Sequence, residues 1–128
     1  SEDAIQYAPD KTAAVREAAR ILRPGGRFVF TAFELEPDHV KGVPVIGDDP
    51  VDDYGPLLSA AGFNVETYEE IPGWPEPLTM TYQSLLDASG ALVQEMGQVA
   101  AMALFSELTA TLQQQIYRRR VLAVATKL

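Results

Sequence analysis

His39 is the only histidine in the chain and the one side chain whose ordinary titration range suits a general base near neutral pH. No partner that would orient it can be named from its neighbours in the chain, so it reads either as that base or as a solvated loop residue. Asp48, Asp49, Asp52 and Asp53 place four carboxylates within six positions. Oxygen ligands at that density suit a hard cation, but the same residues precede a helical pattern, where negative charge is favoured by the helix dipole. The dipole accounts for them without a metal, and none is expected. Arg118, Arg119 and Arg120 would bind an anion, or complement a helix C-terminus or the start of a strand. There is no cysteine, which removes disulfides, thiolate nucleophiles and cysteine-bound metals.

These residues have to be held by regular elements. Ala14, Val15, Ala18, Ala19 and Leu22 recur at helical spacing, predicting a helix from about Lys11 to Leu22 with Asp10 as its cap and Pro24-Gly25-Gly26 as its stop. The near-continuous apolar run Arg27 to Phe33 predicts a strand covered on both faces, as in a parallel sheet. A long polar loop from Glu34 to Asp53 carries His39 over the carboxyl end of that strand, the edge where α/β sheets bind ligands. A second helix, Tyr54 to Ala61, has Asp53 as its cap and ends at Gly62, and a strand follows from Phe63 to Ile71. Pro72 to Pro77 is expected to be an irregular, stiff connector.

Residues 79 to about 116 have helical composition without proline. One helix of that length would run about 55 Å, so a break is expected near Gly97, with Gly90 as a second candidate. Val99, Met102, Ala103, Phe105, Leu108 and Leu112 form an apolar stripe that should be covered. Arg119 to Lys127 closes the chain as a strand.

The run Asp3-Ala4-Ile5-Gln6-Tyr7-Ala8-Pro9-Asp10, followed by Arg16 to Phe30 with its Leu22-Arg23-Pro24-Gly25-Gly26 turn, resembles class I methyltransferases of the small-molecule type. Leu57-Leu58-Ser59-Ala60-Ala61-Gly62-Phe63 is similar to the family's approach to its sixth strand. The resemblance covers residues 1 to about 71 and begins near the end of the fourth strand. It implies an α/β fold: the C-terminal half of a doubly wound, Rossmann-like sheet, with a helical insertion at about 79–116 before the last strand.

The resemblance also implies S-adenosylmethionine as cofactor and a small-molecule substrate as methyl acceptor. The family's glycine-rich loop and acidic ribose ligand are not in this sequence. The chain is therefore expected to be the tail of a longer enzyme, or to need a partner chain that supplies the N-terminal half, and to be inactive alone. By position, Asp3, Gln6 and Tyr7 would lie beside the cofactor, or form a surface loop that only caps the next helix. Trp74, Met80 and Tyr82, at the start of the insertion, would line the substrate pocket or belong to the core.

Two other readings stay open. One is a non-catalytic methyltransferase-like fragment whose helices form a dimerisation or interaction module, with a homodimer as its simplest assembly. The other is the C-terminal part of a nucleotide-binding oxidoreductase. The net charge of −8 argues against nucleic acid as a partner, and no apolar run reaches membrane-spanning length, so a cytoplasmic setting is expected. An antiparallel pairing of Phe28–Phe33 with the strands on both its sides would contradict the methyltransferase reading.

Overall fold

The computed structural model describes residues 1–39 and 49–128. The chain forms two compact units, a sheet unit of Ser1–Ile71 with Tyr117–Leu128 and a helical unit of Pro72–Ile116.

In the sheet unit, helix α1 (Lys11–Ile21) starts as predicted. The Asp10 side chain accepts from the Ala13 amide at 2.8 Å, and Val15 and Ala19 are buried. The other end of α1 is closed by Lys127, whose ammonium donates to the Ala19 and Leu22 carbonyls that the helix leaves unpaired. The turn that follows needs both of its glycines. Gly25 has φ of +78°, and a side chain on Gly26 would place its Cβ 2.8 Å from the Arg23 carbonyl oxygen.

Strand β1 (Arg27–Leu35), helix α2 (Gly55–Ala60), strand β2 (Phe63–Glu70) and strand β3 (Arg118–Lys127) complete this unit, in sheet order β1-β3-β2. Both ladders are antiparallel, so β1 and β2 run the same way with the last strand inserted between them. The expected parallel partner of β1 is therefore absent on this edge. On its other edge β1 does have a parallel neighbour, because Glu2 bridges Thr31, Asp3 N donates to Thr31 O at 3.0 Å, and Thr31 N donates to Ser1 O at 3.1 Å. Strand β1 is thus antiparallel on one side only. A register shift between Val65 and Thr67 bulges β2 at Glu66, which takes a hydrogen bond from Thr126 and an ion pair with Arg27 at 3.2 Å.

The core lies on one face of the sheet. Phe30, Ala32, Ala123, Ala125 and Phe63 pack with Val15 and Ala19 of α1 and with Tyr54 and Leu58. The opposite face is not closed along its length, and Val29 at the start of β1 is 46% exposed while Phe33 near its end is 7% exposed. The apolar run of β1 predicted two covered faces, and among the described residues only one is covered throughout.

The helical unit holds α3 (Pro75–Asp87), α4 (Ser89–Met96) and α5 (Gln98–Gln114). Pro75 and Pro77 belong to the first turn of α3 and not to an irregular connector, because the amides that proline lacks have no partner there in any helix. The break at Gly97 is observed, with φ of +83°, whereas Gly90 lies inside α4 and the other break falls at Ala88. The buried face of α5 is Ala101, Leu108 and Thr111. Of the stripe expected to be covered, Val99 is 87% and Met102 53% exposed, so only part of it meets its own unit. Gln115 ties the end of the unit to its beginning by donating to Pro75 O at 3.0 Å and Thr79 Oγ1 at 2.6 Å.

Candidate functional site

Asp3, Gln6 and Tyr7 lie on the segment that leaves the short strand beside β1, at the carboxyl end of the sheet's parallel edge. Asp3 takes φ of +45°, and Ile5–Tyr7 then form one turn of 3-10 helix. Ile5 anchors this turn in the core. The Asp3 carboxylate is already occupied. It accepts from Thr31 Oγ1 at 2.9 Å and from Arg120 Nε and Nη2 at 3.1 and 2.7 Å.

Gln6 is 2% exposed, and its Nε2 donates to the Asp3 carbonyl at 2.6 Å. Its Oε1 is buried without a hydrogen-bond partner among the described residues. Tyr7 is 54% exposed. The structure thus brings Asp3 and Gln6 together and leaves Tyr7 facing outward.

His39 lies in a 3-10 turn, Pro37–His39, just beyond β1. Its Nδ1 is 3.0 Å from Glu36 Oε2, and its ring stacks on Tyr117 at 3.8 Å between centroids. The histidine therefore has an orienting carboxylate that sequence reading did not identify. The available signal was the i,i+3 spacing of Glu36 and His39, which one 3-10 turn brings together. A carboxylate on Nδ1 fixes which ring nitrogen carries the proton and leaves Nε2 to accept one.

Strand alternation resolves the three consecutive arginines. Arg118 lies 4.6 Å over the Phe33 ring, Arg120 clamps Asp3, and Arg119 points to the opposite face, 3.3 Å from Glu34 and 3.4 Å from Glu70. These are bonds within the sheet unit, so the triplet marks the start of β3.

Glu34 centres a buried polar cluster that no sequence pattern announced. It is 4% exposed, and the Tyr68 hydroxyl donates to its Oε1 while accepting from the Tyr54 amide at 2.8 Å. Burial pushes the Glu34 carboxyl above the usual carboxylate range, and the Tyr68 hydrogen bond and Arg119 oppose that rise. Burial also holds the Tyr54 and Tyr68 phenols protonated well past the usual tyrosine range.

Asp49 and Asp53 serve helix N-termini. Asp49 Oδ2 accepts from the Lys11 amide at 2.7 Å, which starts α1 and not the helix next in sequence, and Asp53 Oδ1 accepts from the Gly55 amide at 2.8 Å. Asp48 lies outside the described residues. Among the described residues no three His, Asp or Glu side chains gather in a way that could hold a metal ion.

In the helical unit, Trp74 is buried and precedes α3, Tyr82 is half-buried, and Met80 is 70% exposed. Met80 lines a shallow groove of about 420 Å³ with Thr81, Ser84 and Leu85. Trp74 and Tyr82 do not line that groove. A second groove, of about 470 Å³, runs along α5 between Met102, Phe105 and Gln113. No helix among the described residues is long and apolar enough to cross a membrane.

No family model matches the chain. A 27-O-demethylrifamycin SV methyltransferase from Amycolatopsis mediterranei is 30% identical over 86 residues, covering 59% of this chain and 32% of that protein. The chain thus spans about a third of the length of this curated relative.

Among solved structures, the [4+2]-cyclase SpnF matches with a TM-score of 0.78 at 16% identity, over 99% of this chain and 47% of that one. Phosphoethanolamine N-methyltransferase 2 of Haemonchus contortus, solved with S-adenosyl-L-methionine, matches at 0.72 and 20% identity, over 99% and 32%. The cyclopropane synthase MmaA2 of Mycobacterium tuberculosis matches at 0.76 and 16% identity, over 99% and 54%. In sequence the chain is similar to a methyltransferase and in α/β fold to these solved structures, and it matches only a part of each.

Proposed function

We propose that this chain is the C-terminal part of a methyltransferase that carries a methyl group from S-adenosylmethionine to a small-molecule acceptor. The observation that carries the reading is the pair of edges of β1. One edge takes the antiparallel final strand, and the other begins a parallel pairing at Ser1–Asp3. A doubly wound sheet whose N-terminal strands continue outward from Ser1–Asp3 accounts for both. The helices of Pro72–Ile116 are then the insertion before the last strand.

The residues that would meet the cofactor are those of the Asp3–Tyr7 segment, and Gln6 Oε1 fits that role as a buried acceptor with no donor among the described residues. S-adenosylmethionine supplies the electrophilic methyl group. The protein's task is mainly to align the acceptor atom behind that methyl and to exclude water. His39, oriented by Glu36, can accept a proton from an acceptor hydroxyl or amine as it attacks. The glycine-rich loop that holds the rest of the cofactor in the family is not in this chain, so binding requires the N-terminal half.

Isothermal titration with S-adenosylhomocysteine tests this directly. These 128 residues alone should give no heat of binding, and the natural chain that contains them should bind at micromolar concentrations. Absence of binding by the natural chain would refute the proposal. A second reading, an interaction module, draws on the exposure of Val99, Met102 and Ile116 in the helical unit. Sedimentation showing a tight dimer that lacks cofactor affinity would favour it.

A further inference from the structure

Asp3 is held in the left-handed region, with φ of +45°, which a non-glycine residue occupies at a cost. Such a conformation persists where its surroundings over-determine it. Here the restraint comes from far along the chain. Arg120 of β3 reaches the Asp3 carboxylate with two parallel hydrogen bonds of 3.1 and 2.7 Å, and Thr31 adds a third at 2.9 Å. A guanidinium fork matched to a carboxylate fixes orientation as well as position, which a lysine ammonium would not do.

The clamp is passed on through the backbone. Gln6 Nε2 donates to the carbonyl of the same Asp3 at 2.6 Å. A carbonyl only accepts, so this contact fixes the amide's orientation and turns Oε1 away, buried and without a donor among the described residues. A buried acceptor left in that state is unfavourable until a donor meets it.

We infer that Arg120 is a positioning residue for cofactor binding: it sets Asp3, Asp3 sets Gln6, and Gln6 Oε1 accepts from an N–H or O–H donor of the bound S-adenosyl ligand. On this assignment the Asp3 carboxylate is part of the clamp and does not touch the ligand. The inference rests on the methyltransferase reading proposed above and adds to it a residue on the last strand.

The test is a double-mutant cycle in the natural chain that contains these residues, with S-adenosylhomocysteine affinity read by isothermal titration. Arg120→Met and Gln6→Ala should each weaken binding about tenfold or more. The double variant should bind within about twofold of Gln6→Ala alone, because Arg120 acts only through Gln6. A role in stability alone would lower the melting temperature and leave affinity unchanged, and a role in binding independent of Gln6 would make the two affinity effects multiplicative; either result would overturn the inference. Unchanged affinity in either single variant would overturn it as well. If Arg120→Met does not fold, Asp3→Asn enters the same cycle with the same expectation. Failure of the wild-type chain to bind the ligand is a separate outcome, which removes the methyltransferase reading and this inference with it.

Discussion

Two tyrosines in one buried cluster should respond to the same substitution with opposite sign. Tyr54 is 0% exposed, and its hydroxyl has no hydrogen-bond partner among the described residues. Its ring packs edge-on to Phe30 at 5.6 Å, a contact that phenylalanine would keep. An unpaired buried hydroxyl costs about 1–3 kcal/mol, so Tyr54→Phe should stabilise the fold by about 1–2 kcal/mol.

The Tyr68 hydroxyl, by contrast, donates to Glu34 and accepts from the Tyr54 amide. Tyr68→Phe would orphan a buried carboxylate oxygen and a backbone N–H together, for a loss of about 2–4 kcal/mol. Urea unfolding, with unchanged m values, separates the two. The reasoning fails if Tyr54→Phe destabilises by about 1 kcal/mol or more, or if Tyr68→Phe is neutral.

Glu34 makes stability depend on pH with a definite sign. Burial raises its folded pKa above the ordinary carboxylate value of about 4.3, so the folded chain keeps a proton that the unfolded chain has lost. The associated stability is present below that ordinary value and disappears as pH rises through the folded one. Glu34→Gln stays neutral and can still accept from Tyr68, so it should gain on the wild type as pH is raised from about 4 to 7; a pH-independent difference between the two urea midpoints would refute this.

The two turn glycines should differ in what rescues them. Gly25 needs its positive φ and has open space around it, so Gly25→Ala should cost about 1–2 kcal/mol and Gly25→Asn much less. Gly26 faces the Arg23 carbonyl, so alanine and asparagine there should be equally harmful in thermal unfolding.

Local features were legible where the information is local. Asp10 caps α1 because its side chain reaches an amide three residues on, and the Arg23-Pro24-Gly25-Gly26 turn follows from φ preferences that no distant contact alters. The break at Gly97 is of the same kind. The prolines at 75 and 77 were misread because their composition resembles a loop, whereas their position in a first turn is decided by the residues after them.

Pairings between distant segments were beyond reach of the sequence. The order β1-β3-β2 requires the last ten residues of regular structure to insert between two earlier strands, and hydrophobic pattern records how deeply a strand is buried without recording its neighbour's direction.

At the site, the methyltransferase resemblance pointed to Asp3, Gln6 and Tyr7 by position, and residue type alone pointed to His39, the one histidine. Only the folded structure decided that the Asp3 carboxylate is taken up by Arg120, 117 residues away, and that Gln6 Oε1 is buried with no donor among the described residues. The same holds for Glu34, which reads in sequence as one charged residue at a strand end. Its partners Tyr68 and Arg119 stand 34 and 85 positions further on, and a hydrogen bond or ion pair depends on distance in space, which sequence separation does not set.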